Sequence, residues 1–170
     1  LNYRKAILHV DDDAQFTRLV AQRLATLGYE VTSLNQPSET LRVLADSHHR
    51  LVLLDIDMPG ISGLDLLRQI KVHSGGTQVI MLTGTVSMQT LLQSYRWGAE
   101  FFVFKPLASM DPLLSAIETV FQKIDHWWAA MEHLGKERRA AQSATGRSLP
   151  VETSGLAEPT SLSLTRSQAR

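Results

Sequence analysis

The 170 residues predict an α/β fold: a doubly wound sheet of five parallel strands, with a long helix at the C-terminal end. Three observations carry that reading. Short apolar runs alternate five times with stretches of helical periodicity. The central run, Leu51-Val-Leu-Leu-Asp55, is apolar on both alternating faces, as a strand covered by helices on each side requires. Polar residues stand at the ends of these runs, where open α/β sheets place their sites.

The first strand is read from Lys5 to Val10 and ends on Asp11-Asp12-Asp13. Phe16, Leu19, Val20, Leu24 and Leu27 then space one apolar stripe along a helix that Gly28 stops. Residues 29–34 alternate weakly and make a shorter second strand. Pro37 starts a helix through about Ala45. The central strand follows, closed by Met58-Pro-Gly. Leu64, Leu67 and Ile70 share one side of the next helix, and His73-Ser-Gly-Gly marks a loop. Residues 78–82 form a fourth strand ending at Thr83-Gly84, and a helix from about Val86 to Trp97 stops at Gly98. Phe101–Phe104 is the fifth strand, ending at Lys105-Pro106. The last helix starts near Ser109 or Asp111, with Pro112 in its first turn. Right-handed crossovers and this length favour the flavodoxin-like strand order 2-1-3-4-5. That order gathers Asp11, Asp12, Asp55, Thr83 and Lys105 at one edge.

Composition narrows the function. Seventeen basic residues balance seventeen acidic ones, which argues against an electrostatic grip on nucleic acid or an anionic membrane by this segment. There is no cysteine, so neither disulfides nor thiol chemistry are available, in keeping with a cytoplasmic setting. No apolar run reaches the ~20 residues of a membrane span. No signal-peptide pattern opens the chain, and its first residue is Leu1, as in a piece of a longer protein.

Clustered carboxylates repel one another and call for a cation. An all-oxygen set without histidine or thiol suits Mg²⁺, with Mn²⁺ as the second choice. A hydroxyl and an ammonium beside such an ion donate to phosphate oxygens. The combination supports phosphoryl transfer onto an aspartate, with Asp55 as nucleophile.

With these residues in view, the chain resembles a receiver domain of a two-component response regulator over about residues 3–122. The matching residues are Val10-Asp-Asp12, Leu54-Asp-Ile-Asp-Met-Pro-Gly60, Leu82-Thr-Gly84 and Lys105-Pro106. The resemblance implies that Asp55 accepts phosphate from a histidine kinase or phosphotransfer protein. It implies that Asp11, Asp12 and Asp55 hold the metal, with Asp57 lending its backbone carbonyl. Thr83 and Lys105 would bind the phosphoryl group. Phe102 would be the switch aromatic, without the phenol that many members carry. It also implies a cis Lys105-Pro106 bond.

Each of these residues has a plainer explanation when taken alone. Asp55 and Asp57 cap a turn. Asp13 caps the helix that follows it. Thr83 ends a strand, Lys105 is a solvated charge, and Phe102 is a core aromatic. His126 and His133 lie seven apart, too far for a shared metal, and are read as surface residues.

Past the receiver, Ile117, Ile124 and Met131 repeat every seven residues, as do Val120, Trp127 and Leu134. This is an a/d seam of about two and a half heptads, so residues 123–141 are expected to extend the helix and pair with a second copy. The alternative is one amphipathic helix docked on its own domain. Residues 143–170 hold ten Ser/Thr, two Gly and two Pro and no aromatic, which predicts a linker or disordered tail from about Gln142. No output domain is visible.

The function expected is a phosphorylation-dependent signalling switch rather than an enzyme, acting on dimerisation or a partner. A shuttle or binding module without output is the alternative. A haloacid-dehalogenase-like phosphatase is a remote one, because Asp11-Asp12 precedes the lysine rather than following it.

Overall fold

The computed structural model describes residues 5–84 and 87–145. By compactness the chain divides into Leu1–Ala129 and Ala130–Arg170. In the first unit the strands are β1 (Ala6–Val10), β2 (Glu30–Leu34), β3 (Leu51–Asp55), β4 (Gln78–Thr83) and β5 (Phe101–Phe104). All pairings are parallel, in the order β2-β1-β3-β4-β5 that the sequence predicts.

The helices are α1 (Ala14–Ala25), α2 (Thr40–Ala45), α3 (Gly63–His73), α4 (Met88–Arg96) and α5 (Asp111–Thr145), with one 3-10 turn at Pro37–Glu39. Side-chain oxygens set the starts of α1, α3 and α4. Asp13 accepts from the amides of Gln15 and Phe16, Ser62 from Leu64, and Ser87 from Thr90. Gly98, at φ +89, lets the chain turn out of α4 into β5. The expected start of α4 at Val86 lies outside the described residues.

Strand alternation sends side chains into two cores. On one face Ile7, Leu53, Ile80, Leu82 and Val103 pack with Val20 and Leu24 of α1 and with Leu113, Ile117, Val120 and Phe121 of α5. On the other, Leu8, Val52, Leu54, Val79 and Met81 pack with Leu44 of α2 and Leu66, Leu67 and Ile70 of α3. All five residues of β3 are buried, which is why its sequence is apolar without alternation.

The helical stripes differ in part from expectation. Leu19 and Leu27 are 52% and 56% exposed, so the buried line of α1 is Thr17, Val20 and Leu24. Leu66 joins Leu67 and Ile70 on the buried side of α3, in the core they share with residues of β1, β3 and β4.

The heptad series divides in two. Ile117, Val120 and Ile124 belong to the receiver's own core, whereas Trp127 is 63% exposed. The N-terminal part of the seam is therefore intramolecular packing, not an interhelical interface. Trp128 lies under the Arg50 guanidinium, 5.3 Å from its ring centroid. Within the second unit residues 130–145 are helical, with Met131 and Leu134 exposed, an i,i+4 contact between His133 and Glu137 at 3.3 Å and an i,i+4 ion pair between Lys136 and Glu132. Residues 146–170, where most of the tail was expected, lie outside the described residues. Among the described residues no helix is long and apolar enough to cross a membrane.

Candidate functional site

Parallel strands all point their carboxyl ends to one edge, and the central strands reach it together. The register pairs Val10 with Leu54, Asp55 with Leu82, and Thr83 with Phe104. Asp11, Asp55, Thr83 and Lys105 therefore stand at the last rung of four adjacent strands or one step beyond it. Asp11, Asp12 and Asp55 each offer a carboxylate oxygen within 4.8 Å of the others, the first and last buried and Asp12 exposed. This is an acidic cluster of hard oxygens, suited to a divalent cation.

The Lys105 ammonium enters the cluster from the end of β5. Its Nζ lies 2.6 Å from Asp11 Oδ2 and 3.1 Å from Asp55 Oδ1. The Phe16 ring is 4.7 Å from the same nitrogen. Backbone bonding holds the lysine in place, because its amide donates to the Thr83 carbonyl at 2.7 Å. The Lys105-Pro106 peptide is cis, as the resemblance implied.

Burial pushes the Asp55 carboxyl above the usual carboxylate range, and Lys105 opposes that only in part. Burial by itself would lower the Lys105 pKa. The hydrogen bonds and charges of Asp11 and Asp55 outweigh it, so the ammonium is held more firmly than usual. One cation thus serves two buried carboxylates, which already leaves negative charge in excess, and Asp12 adds to it.

Asp57 is exposed and its side chain stands outside the carboxylate cluster. Met58 turns back into the core at 8% exposure. Thr83 is fully buried at the end of β4. Phe102 is half-buried against the core that faces α2 and α3. Asp13 caps α1 and takes no place in the cluster. His126 and His133 are exposed on α5.

Two features were not legible beforehand. Gly63, at the start of α3, donates its amide to Ile56 O at 3.0 Å, and a Cβ there would collide with the Asp55 carbonyl oxygen. The other is His9, which lies two residues before Asp11 on the same strand face. Its ring is fully buried, meets the Phe16 ring edge-on at 5.7 Å, and has no hydrogen-bond partner among the described residues. Such an orphaned polar group costs about 1–3 kcal/mol. Burial first, and then the charge of Lys105, lower its pKa to about 3, so the ring is neutral. The period-2 relation of His9 to Asp11 was the available signal.

The profile of the response regulator receiver domain family matches residues 7–118. The chain belongs to that family. Its receiver domain is 32% identical over 116 residues to the regulatory protein AtoC of Escherichia coli (strain K12), covering 68% of this chain and 25% of AtoC. The chain spans about half the length of the other curated relatives it matches, such as YkoG of Bacillus subtilis. Among solved structures, a CheY-like receiver domain protein from Methanospirillum hungatei JF-1 superposes with a TM-score of 0.68 at 30% identity, covering 73% of this chain and 99% of that one. TrrA of Thermotoga maritima, solved in complex with Mg(2+)-BeF, gives 0.62 at 32% identity, covering 68% and 98%. The receiver is a signalling domain of phosphorelay systems, and none of these relatives supports the phosphatase reading.

Proposed function

We propose that Asp55 accepts a phosphoryl group from a phosphohistidine of a histidine kinase or phosphotransfer protein. In that step the donor's N–P bond breaks and a carboxylate oxygen of Asp55 forms the new O–P bond. The electron pair left on the imidazole nitrogen is then free to take a proton. The observation that carries this is the Lys105 ammonium, 3.1 Å from a buried Asp55 and anchored by Asp11. It stands where charge develops on the transferred group.

The carboxylates of Asp11, Asp12 and Asp55 and the carbonyl of Asp57 would hold Mg²⁺, or Mn²⁺ in its place, and the bound ion supplies charge neutralisation for the phosphoryl oxygens. Beside Lys105, Phe16, Leu19, Leu107 and Met110 line a groove of about 800 Å³ that suits the apolar face of a donor protein.

Phosphorylation draws the Thr83 hydroxyl and Lys105 towards the new oxygens, and Phe102 repacks as Thr83 moves. Having no hydroxyl, Phe102 acts through packing alone. The change reaches a surface that already exposes Met88, Leu92 and Tyr95 of α4 and Phe104 of β5. There it alters partner binding or dimerisation. Trp127, Met131 and Leu134 are the exposed positions through which α5 pairs with a second copy in the cytoplasm, without contact to nucleic acid by this segment.

The test is labelling by a small phosphodonor such as acetyl phosphate. Acid-labile, Mg²⁺-dependent incorporation is expected in the native chain and none in Asp55→Asn. Equal labelling of the two would overturn the assignment. A monomer both with and without beryllofluoride would instead favour a shuttle without output.

A further inference from the structure

The groups around the Lys105 ammonium are not alike. Asp11 Oδ2 and Asp55 Oδ1 lie 2.6 and 3.1 Å from Nζ. Both oxygens belong to carboxylates that, on the reading above, also hold the divalent ion. An ion among them shares their charge and repels an ammonium beside it, so their grip on Lys105 is weaker when the ion is bound. The Phe16 ring is the exception. Nζ stands over it, 4.7 Å from the centroid, and the ring has no oxygen to give to a metal. A π face attracts an ammonium within about 6 Å, most strongly where water is scarce. The Lys105 side chain is 19% exposed.

The chain fixes the ring independently of the lysine. Phe16 lies in the first turn of α1, and its amide donates to the capping carboxylate of Asp13 at 3.0 Å. The ring packs against the core that α1 and α5 share with the sheet, and it meets the His9 ring edge-on at 5.7 Å. The helix that begins directly after the acidic pair therefore carries an aromatic face to the ammonium at the end of β5.

We propose that Phe16 is a positioning residue for phosphoryl transfer: its ring keeps the Lys105 ammonium at the site while the divalent ion occupies the carboxylates. Phe16 acts through Lys105, not on Asp55 or the phosphoryl group. Attraction to a π face has no single direction, so the ammonium turns towards phosphoryl oxygens without leaving the ring. The same ring lines the groove beside Lys105. A ligand too small to span that groove therefore separates positioning from donor docking.

The inference rests on Asp55 being the phosphoacceptor, and the experiment keeps the two apart. Beryllofluoride is titrated at saturating Mg²⁺ into the full chain and its Phe16→Leu and Phe16→Tyr variants. Phe16→Leu retains apolar bulk without a π face, and is expected to bind about fivefold more weakly. Phe16→Tyr retains the face and stays within about twofold of the native chain. In the native chain the Lys105 ε-methylene protons, shielded by the ring, are expected upfield of ordinary lysine and to remain there when Mg²⁺ is added. In Phe16→Leu they return to the ordinary position. Native affinity in Phe16→Leu, or an equal loss in a folded Phe16→Tyr, overturns the inference. So does a native Lys105 signal that moves to the ordinary position on Mg²⁺ addition, which decides the matter even where a variant does not fold. A native chain that takes no beryllofluoride overturns the phosphoacceptor reading itself.

Discussion

Lys105 Nζ sits between two buried carboxylates, 2.6 Å from Asp11 Oδ2 and 3.1 Å from Asp55 Oδ1, although 94 residues separate it from Asp11 in the chain. Lys105→Met keeps most of the side-chain volume and removes the charge. The two carboxylates then face each other in a poorly solvated site. With a chelator present, a loss of about 3 kcal/mol is expected from denaturant unfolding. Adding Mg²⁺ recovers part of that loss, because a cation again stands among the carboxylates. A variant as stable as the native chain under chelation would show that the ammonium is not structural.

Gly63 and the end of β3 approach too closely for any side chain. A methyl group on residue 63 would overlap the Asp55 carbonyl oxygen, and the obstacle is backbone on both sides, so no rotamer relieves it. Gly63→Ala is expected to cost about 3 kcal/mol and to slow labelling at Asp55 as β3 shifts. The comparison is with Gly76→Ala, whose Cβ meets nothing within 4 Å. Similar stabilities in the two variants would count against the close approach.

Ile124 places the receiver's edge beyond residue 122. It is 7% exposed within the core formed with α1 and α5, and Lys123 pairs with Glu100 at 2.7 Å. A chain ending at Gln122 loses both. It is expected to be about 2 kcal/mol less stable than one ending at Ala129, nearly all of it from the missing Ile124, since an exposed ion pair contributes little. Thermal or urea unfolding of the two chains decides the point.

Trp127, Met131 and Leu134 recur at i, i+4 and i+7 and are 63%, 58% and 59% exposed. Pairing with a second copy would cover them. Light scattering is expected to show a dimer for the full chain, strengthened by beryllofluoride, and a monomer for Met131→Glu/Leu134→Glu. A double variant of native mass in solution would point to other surfaces.

His49 links stability to mild acid. Its Nδ1 lies 2.5 Å from Ser47 Oγ and its Nε2 3.0 Å from Thr32 Oγ1. Burial lowers its pKa below the ordinary 6.5, with Glu30 opposing in part. Below pH 6.5 the unfolded chain therefore takes a proton that the folded chain resists, and stability falls as pH drops through that window. In His49→Gln this contribution is absent. Unfolding measured at pH ~7 and again at successively lower pH should show the native chain losing more stability than the variant. Parallel losses would remove His49 from the account.

Most of the architecture follows from periodicity. The apolar run at 51–54, bounded by turn residues, reads as a strand covered on both faces, and alternation of such runs with helical stripes leads to the parallel sheet. Carboxyl-end placement then makes Asp11, Asp55, Thr83 and Lys105 neighbours without any coordinate in hand. These are properties of local pattern and connectivity, which the linear order of residues contains. The tertiary structure decided what depends on distance and on competition for space. It divided the heptad series at Ile124, because a period of seven is the same whether a helix packs on its own sheet or on another chain. It exposed Leu19 and buried Leu66, because the width of a buried arc depends on the strands beneath it. It joined Lys105 to Asp11 as well as Asp55, and it left His9 buried beside Asp11 with no hydrogen-bond partner among the described residues.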